Sequence, residues 1–140
     1  MVSNDCLEWL DYANMDIDAA QQLYTQRQHP RQRPYEIILY HCQQGAEKAF
    51  KAYMIQNGSF PPKTHELHKL RLICKQWDGQ FDNSRLINHC TFLDPFGVRI
   101  RYPKHYISVD SSQAARGLNS AKRIYDFVCE RLGLSKVYFT

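Results

Sequence analysis

Residues 35–57 constrain the fold of this chain more than any other stretch, because they follow Pro34, precede Gly58 and contain no proline. Proline at the start and glycine just past the end are typical boundaries of an α-helix. Apolar residues recur within it at spacings of three and four, which predicts one apolar stripe. That stripe consists of Tyr35, Ile38, Leu39, Cys42, Ala46, Ala49 and Tyr53. Gly45 and Ala46 are small enough for a second helix to approach closely. This stretch is therefore predicted to be the central helix of a bundle.

The other side of this predicted helix is polar. It carries Gln43, Gln44, Glu47, Lys48 and Lys51. We expect two i,i+4 pairs there, Gln44 with Lys48 and Glu47 with Lys51. A solvated outer face is the usual interpretation of such a pattern, and a groove or subunit contact is the alternative. The length of the helix, and Tyr40 one turn earlier, favour antiparallel stacking of two copies across a twofold axis.

Four further helices are predicted from apolar periodicity and capping residues. The first runs from a cap at Asn4 or Asp5 to about Thr25, and its inward side consists of Leu7, Leu10, Ala13, Ile17, Ala20 and Tyr24. The third begins at Thr64 and ends at Gly79. The fourth begins near Asp82 or Asn83 and stops by Asp94, and the fifth runs from Asp110 or Ser111 to Gly133. No stretch alternates with period two, so no sheet is expected. The predicted fold class is all-α, an up-and-down four- to five-helix bundle in which residues 1–140 form one domain. We expect the apolar tail, residues 137–139, to fold back on the bundle or onto another subunit.

Composition narrows the class of protein. With 140 residues and 44% hydrophobic side chains, the chain is long enough for one domain with a real core. No apolar run reaches the length of a membrane span, and the acidic N-terminus lacks the features of a signal peptide. These observations predict a cytoplasmic protein. The five cysteines are odd in number and form no CxxC pair, so we expect buried reduced thiols.

The distribution of charge suggests an anionic partner. Net charge is +4, yet residues 1–24 contain five acids and no Lys or Arg. Residues 27–33 and 99–105 are basic, which points to nucleic acid, a nucleotide or an acidic protein surface. For residues 27–33 a solvated loop is the favoured interpretation, because no aromatic side chains are interleaved with the cations.

Several kinds of site are not expected. His65 and His68 are i,i+3 neighbours, one residue short of the helical zinc motif and without a third ligand, so no metal site is predicted. Cys42 directly follows His41, and adjacent helical residues do not face each other, which argues against a Cys–His nucleophile. The six glycines are scattered and form no phosphate-binding loop. We therefore expect no cofactor.

The strongest local candidate for a site is the segment RIRYPKHY at residues 99–106. The guanidinium groups of Arg99 and Arg101 suit phosphate, and the ring of Tyr102 suits stacking on a base. If RNA were cleaved here, Arg99 or Arg101 would hold the scissile phosphate and His105 would exchange protons. The alternative is a loop whose cations only face water. Binding of an anion is favoured over that alternative, and catalysis is the least favoured of the three.

Three motifs in order resemble the HEPN domain family: YHCQQGAEKA at residues 40–49, PPKTHEL at 61–67 and RYP at 101–103. The likeness covers nearly the whole chain. It implies a helical bundle, usually a homodimer, with nucleotide binding in a cleft near the dimer contact. Many members of the family pair with a small nucleotidyltransferase, as in toxin–antitoxin pairs. Others are metal-independent ribonuclease toxins in which four to six residues separate an Arg from the His that follows it.

Applied to this chain, the resemblance implies a set of nucleotide-binding residues. They are Tyr40, Gln43, Gln44, Lys48, Lys51, Arg101 and Tyr102. Arg99 and His105 have five residues between them, as the ribonuclease motif requires, whereas Arg101 has only three before His105. Ile100 replaces a residue that is usually polar, and Pro103 interrupts the motif, so enzymatic activity stays open. Three interpretations follow: a nucleotide- or RNA-binding module with a nucleotidyltransferase partner, a metal-independent endoribonuclease, and a structural dimerisation adaptor.

Overall fold

The computed structural model describes residues 1–26, 34–97 and 109–140. Within these ranges the chain forms five α-helices and no strand: α1 Asn4–Thr25, α2 Tyr35–Gln56, α3 Leu67–Lys75, α4 Ser84–Leu93 and α5 Ser111–Arg131. Two short 3₁₀ turns, Gly79–Phe81 and Asp94–Phe96, flank α4. The predicted all-α fold class is confirmed. None of the described helices combines the length and the apolar character needed to cross a bilayer.

The central helix α2 packs against α1 where its side chains are smallest. A Cβ atom added at Gly45 would lie 2.7 Å from Cγ1 of Ile17 and 3.1 Å from the carbonyl oxygen of Ala13. Both distances are too short for an ordinary contact, so the absence of a side chain at Gly45 lets the two helices approach. The sequence-based prediction of close packing at this point is confirmed.

The ends of the last two helices follow the local sequence. The side chain of Asp110 accepts a hydrogen bond from the Gln113 N–H, and the Gln113 side chain accepts one from the Asp110 N–H, which completes a capping box. Asn83 caps α4 through hydrogen bonds to two backbone N–H groups. In α1 the cap is Ser3, whose hydroxyl accepts from the Cys6 N–H at 3.2 Å, one residue before the predicted caps.

The predicted start of α3 at Thr64 is wrong. The helix begins at Leu67, and a carboxylate from another element caps it. Asp94 accepts hydrogen bonds from the N–H of Leu67 at 2.7 Å and of His68 at 3.4 Å. The Thr64 hydroxyl accepts only from the N–H of Glu66, before the helix. The helix also ends at Lys75, four residues before Gly79.

The bundle core follows most of the apolar stripes predicted for α1 and α2 and also includes residues outside them. Its buried members include Leu10, Ala13, Ile17, Ile38, Leu39, Phe50, Leu70, Phe81, Leu118, Ile124 and Val128. Leu7 was predicted to face inward but is 40% exposed, because the stripe of α1 passes through its neighbour Cys6. The five cysteines are free and buried, as expected. Burial raises the pKa of Cys42 to about 12, which keeps this thiol protonated.

The C-terminal residues fold back onto α5. The buried carboxylate of Asp126 accepts hydrogen bonds from the N–H groups of Val137 at 2.9 Å, Tyr138 at 3.1 Å and Phe139 at 2.8 Å. The ring of Tyr138 packs edge-on against that of Tyr125, with 5.4 Å between centroids. The expectation that the tail folds back on the bundle is confirmed.

Candidate functional site

An open cleft of about 430 Å³ lies where the N-terminus of α3 meets the turn that follows α4. It is lined by His65, Glu66, His68, Thr91, Asp94, Pro95 and Gly97. Two imidazoles and two carboxylates therefore converge on one concave surface. The cleft also borders the point in the sequence at which the basic segment begins, because Arg99 follows Gly97 by two residues.

A buried amide of α2 fixes the backbone on both sides of this cleft. Gln43 is completely buried, and its Nε2 donates to the carbonyl oxygen of His65 at 2.8 Å. Gly97 packs directly on the same amide, since a Cβ added there would lie 2.9 Å from Cδ and Nε2 of Gln43. The Gln43 Oε1 accepts a hydrogen bond from Gln44 at 2.9 Å. One side chain therefore positions residues 65 and 97, which both line the cleft.

A buried ion pair continues this network along α2. Nζ of Lys51 donates to Oε2 of Glu47 at 2.8 Å, and these side chains are only 10% and 4% exposed. Nδ1 of His65 lies 3.1 Å from Oε1 of Glu47, which links the pair to the cleft. The solvated-face interpretation is thus wrong for Gln43, Glu47 and Lys51. We call these residues, with Gln44 and His65, the polar network.

Of the two predicted i,i+4 pairs, only Glu47 with Lys51 forms. Gln44 instead donates to Gln43, and Lys48 turns toward α1, where its Nζ lies 2.5 Å from Oδ2 of Asp16. Nδ1 of His41 lies 2.9 Å from the other oxygen of that carboxylate. Burial raises the pKa of Asp16, but hydrogen bonds from His41 and Lys48 outweigh it and hold the pKa below its ordinary value.

The structure thus separates the predicted nucleotide-binding residues of α2. Gln43, Gln44 and Lys51 join the polar network beside the cleft, whereas Lys48 is held by α1. The half-buried ring of Tyr40 lies edge-on to the ring of His41, with 5.8 Å between centroids. The remaining predicted site residues, Arg99, Arg101, Tyr102 and His105, lie outside the described residues.

Sequence reasoning missed the part that Asp94 plays in this cleft. From the sequence, Asp94 is predicted only to mark the end of α4. In the fold, burial raises the pKa of Asp94 above its ordinary value, although hydrogen bonds from two backbone N–H groups oppose the shift. Nε2 of His68 lies 3.0 Å from Oγ1 of Thr91, which ties α3 to α4 across the cleft. In the described part of the chain, no three His, Cys, Asp or Glu side chains group closely enough to hold a metal ion.

The whole chain, rather than the cleft alone, can be compared with known proteins. The family model described as HEPN domain matches residues 6–132. The chain belongs to the HEPN domain family. Among solved structures, this HEPN domain is similar to TT1696 from Thermus thermophilus, with a TM-score of 0.73, 22% identity, and coverage of 92% of this chain and 99% of that one. This likeness shows the shared fold. Comparison with the curated proteins gave no significant match.

Proposed function

We propose that this HEPN domain is a homodimeric module that binds a nucleotide or RNA and works with a small nucleotidyltransferase, as in toxin–antitoxin pairs. The observation that supports binding is the polar network beside the cleft. Burying an amide, a carboxylate and an ammonium costs free energy that apolar residues of similar volume would not. Here the network fixes two points of the cleft wall, and a rigid cleft with a few convergent polar groups is the usual form of a small-molecule site.

The carboxylates of the cleft and the cations that follow it in the sequence suggest how the ligand is oriented. Among the described residues, the cleft lining carries two carboxylates, Glu66 and Asp94, and no Lys or Arg, so the acceptor sites that these carboxylates have left suit the N–H edge of a base rather than phosphate. The cations that suit phosphate follow the cleft in the sequence. Arg99 follows Gly97, which lines the cleft, by two residues. We therefore propose that the base lies in the cleft, that Arg99 and Arg101 bind the phosphates, and that the ring of Tyr102 stacks on a base.

Titration with ATP, GTP and a short RNA at two salt concentrations tests binding. Arg101→Ala should weaken nucleotide binding by roughly tenfold or more, because a charge-assisted contact to phosphate is lost. Lys75→Ala is the matched control, since Lys75 is a partly exposed cation paired with Asp82 at 3.2 Å, away from the cleft lining. The control should bind as the unchanged protein does. Absence of saturable binding to all three ligands would refute the proposal.

The partner is tested separately from the ligand. Co-expression with a nucleotidyltransferase encoded by a neighbouring gene should give a stable complex, and light scattering of the chain alone should give the mass of a dimer. If partner binding persists in Arg101→Ala and no nucleotide binds to the unchanged protein, the chain is a structural adaptor. A chain that is monomeric at all concentrations would contradict the dimer.

The spacing of Arg99 and His105 favours a second candidate, a metal-independent endoribonuclease. It requires RNA cleavage that persists in excess chelator and that His105→Ala abolishes. Unfolding in urea would show that the variant keeps its fold. Intact RNA after prolonged incubation with the unchanged protein would exclude this activity for the RNA tested.

A further inference from the structure

The groove between α4 and α5 carries two arginines on one side of α5. Arg116 and Arg123 are seven residues apart in the same helix, so they lie on nearly the same side and roughly 10 Å apart along its axis. Cζ of Arg116 lies 4.2 Å from the centroid of the Phe92 ring. Cζ of Arg123 lies 3.6 Å from that of the Phe139 ring. Two aromatic faces thus hold two exposed guanidinium groups in fixed places.

These guanidinium groups keep their hydrogen-bond donors available. Within residues 1–26, 34–97 and 109–140, neither Arg116 nor Arg123 has a carboxylate oxygen within 4 Å, unlike Lys48, Lys51 and Lys75. A guanidinium that stacks on a ring keeps its N–H groups at the edge of the stack, where they can bind phosphate in pairs. Aromatic rings therefore hold these two arginines in place, and within the described residues no carboxylate neutralises their charge.

A histidine near the two arginines adds a hydrogen-bonding group to the groove. Half-buried His89 is close enough to both arginines to feel their charges, and its Nδ1 is 2.9 Å from Oγ of Ser120. Burial, and then the charges of Arg123 and Arg116, lower the pKa of His89, so this imidazole stays neutral at pH 7. It offers hydrogen bonding without adding a charge.

A cavity of about 200 Å³ lies between α4 and the C-terminal half of α5. Its cationic lining consists of Arg85, Arg123 and Lys136, and Phe127 and Phe139 form its aromatic walls. Two carboxylates also line it. That of Asp126 is buried and occupied by three backbone N–H groups, so it adds little repulsion toward an anion. Glu130 is exposed, so solvent and salt screen its charge.

The other end of the groove leads to the cleft. The ring of Phe92, on which Arg116 stacks, packs against the ring of Phe96, with 5.8 Å between centroids. Phe96 belongs to the Asp94–Phe96 turn, which borders the cleft. A strand that leaves the cleft past this turn would meet Arg116 first and Arg123 next.

We propose that the α4–α5 groove binds the phosphates of a single-stranded RNA, with Arg116, Arg123 and Lys136 as its contacts. This inference rests on the proposed function for its ligand class and adds the path of the strand. Arginines interleaved with aromatic rings suit the alternation of phosphate and base in a single strand, and they require no particular sequence. Because Arg116 and Arg123 leave α5 roughly 10 Å apart along its axis, we expect an oligonucleotide, rather than a mononucleotide, to contact both.

The test compares a labelled twelve-nucleotide RNA with ATP. Arg116→Gln and Arg123→Gln remove the charge but keep a flexible polar side chain, and Lys75→Gln is the control for loss of one positive charge. Each arginine variant should weaken RNA binding by roughly threefold to tenfold and lower the salt slope by about 0.7, the value for one phosphate contact on a single strand. ATP binding should not change. Lys136→Gln, at an exposed position, should act in the same direction even if an arginine variant unfolds.

The outcomes separate this inference from the proposed function. If ATP binds and the RNA affinity of the groove variants equals that of Lys75→Gln, the groove is not the RNA path and the cleft proposal stands. If ATP does not bind but the RNA affinity still depends on Arg116 and Arg123, the groove stands without the cleft. Competition by a poly-glutamate peptide as effective as that by unlabelled RNA would overturn the assignment to RNA in favour of an acidic protein partner.

Discussion

The buried pair of Glu47 and Lys51 gives the sharpest test of the polar network. At 2.8 Å and an effective dielectric constant of about 20, their attraction is about 6 kcal/mol. The cost of removing both ions from water offsets much of this. Glu47→Gln keeps the shape and the burial cost of Lys51 but removes its counter-charge. We expect the free energy of unfolding to fall by about 3 kcal/mol, at the lower end for a broken buried pair because Lys51 is 10% exposed.

Urea unfolding of a double-mutant cycle measures this effect. Lys51→Met alone leaves Glu47 uncompensated and should cost a similar amount. The double variant removes both charges, so it should lose at least about 2 kcal/mol less than the sum of the single losses. Glu66→Gln is the matched control, since it breaks the pair with Lys69, in which the Lys69 and Glu66 side chains are 66% and 60% exposed, and should leave the unfolding midpoint unchanged. Additive single losses, or a loss below about 1 kcal/mol for Glu47→Gln, would refute the argument.

Three further perturbations address packing, pH dependence and the tail. Gly45→Ala should lower the free energy of unfolding by about 1–3 kcal/mol, because the new Cβ meets Ile17 and backbone, whereas Gly79→Ala meets nothing within 4 Å and should not. The raised pKa of Asp94 means that its contribution to stability is full below about pH 4 and is lost as pH rises through the folded pKa. Asp94→Asn should remove that loss in urea unfolding at a series of pH values. Asp126→Ala should speed hydrogen exchange of the backbone amides at residues 137–139 by at least about tenfold, and unchanged rates would contradict the tail contact.

Local signals predicted the parts of this fold that local contacts determine. The capping box of Asp110 and Gln113 spans four residues, so the sequence alone places the start of α5. The cap of α3 could not be found in this way, because Asp94 is 27 residues from Leu67 in the chain. Thr64 has the right side chain for a cap, but the carboxylate of Asp94 reaches the first free N–H groups of the helix instead.

The polar side of α2 was harder to interpret for a related reason. Helical periodicity shows which residues share a face, but not what covers that face. Gln43 and Lys48 both belong to a polar set in the sequence, yet the first is sealed by Gly97 and the second extends to Asp16. The candidate cleft could not be predicted from the sequence, because it forms where α3 packs against the turn after α4. The basic segment at residues 99–105 remains a prediction of the sequence.

The contact of Gly97 with the amide of Gln43 couples the cleft wall to the interior of the bundle. A ligand that moves Gly97 outward would loosen the packing on the side-chain amide of Gln43. A ligand that presses Gly97 inward would push that amide toward the carbonyl oxygen of His65. Occupancy of the cleft should thus be detectable by amide chemical shifts deep in α2, at positions no ligand touches. These chemical shifts would therefore show that a ligand is bound even when the ligand itself has no spectroscopic signal.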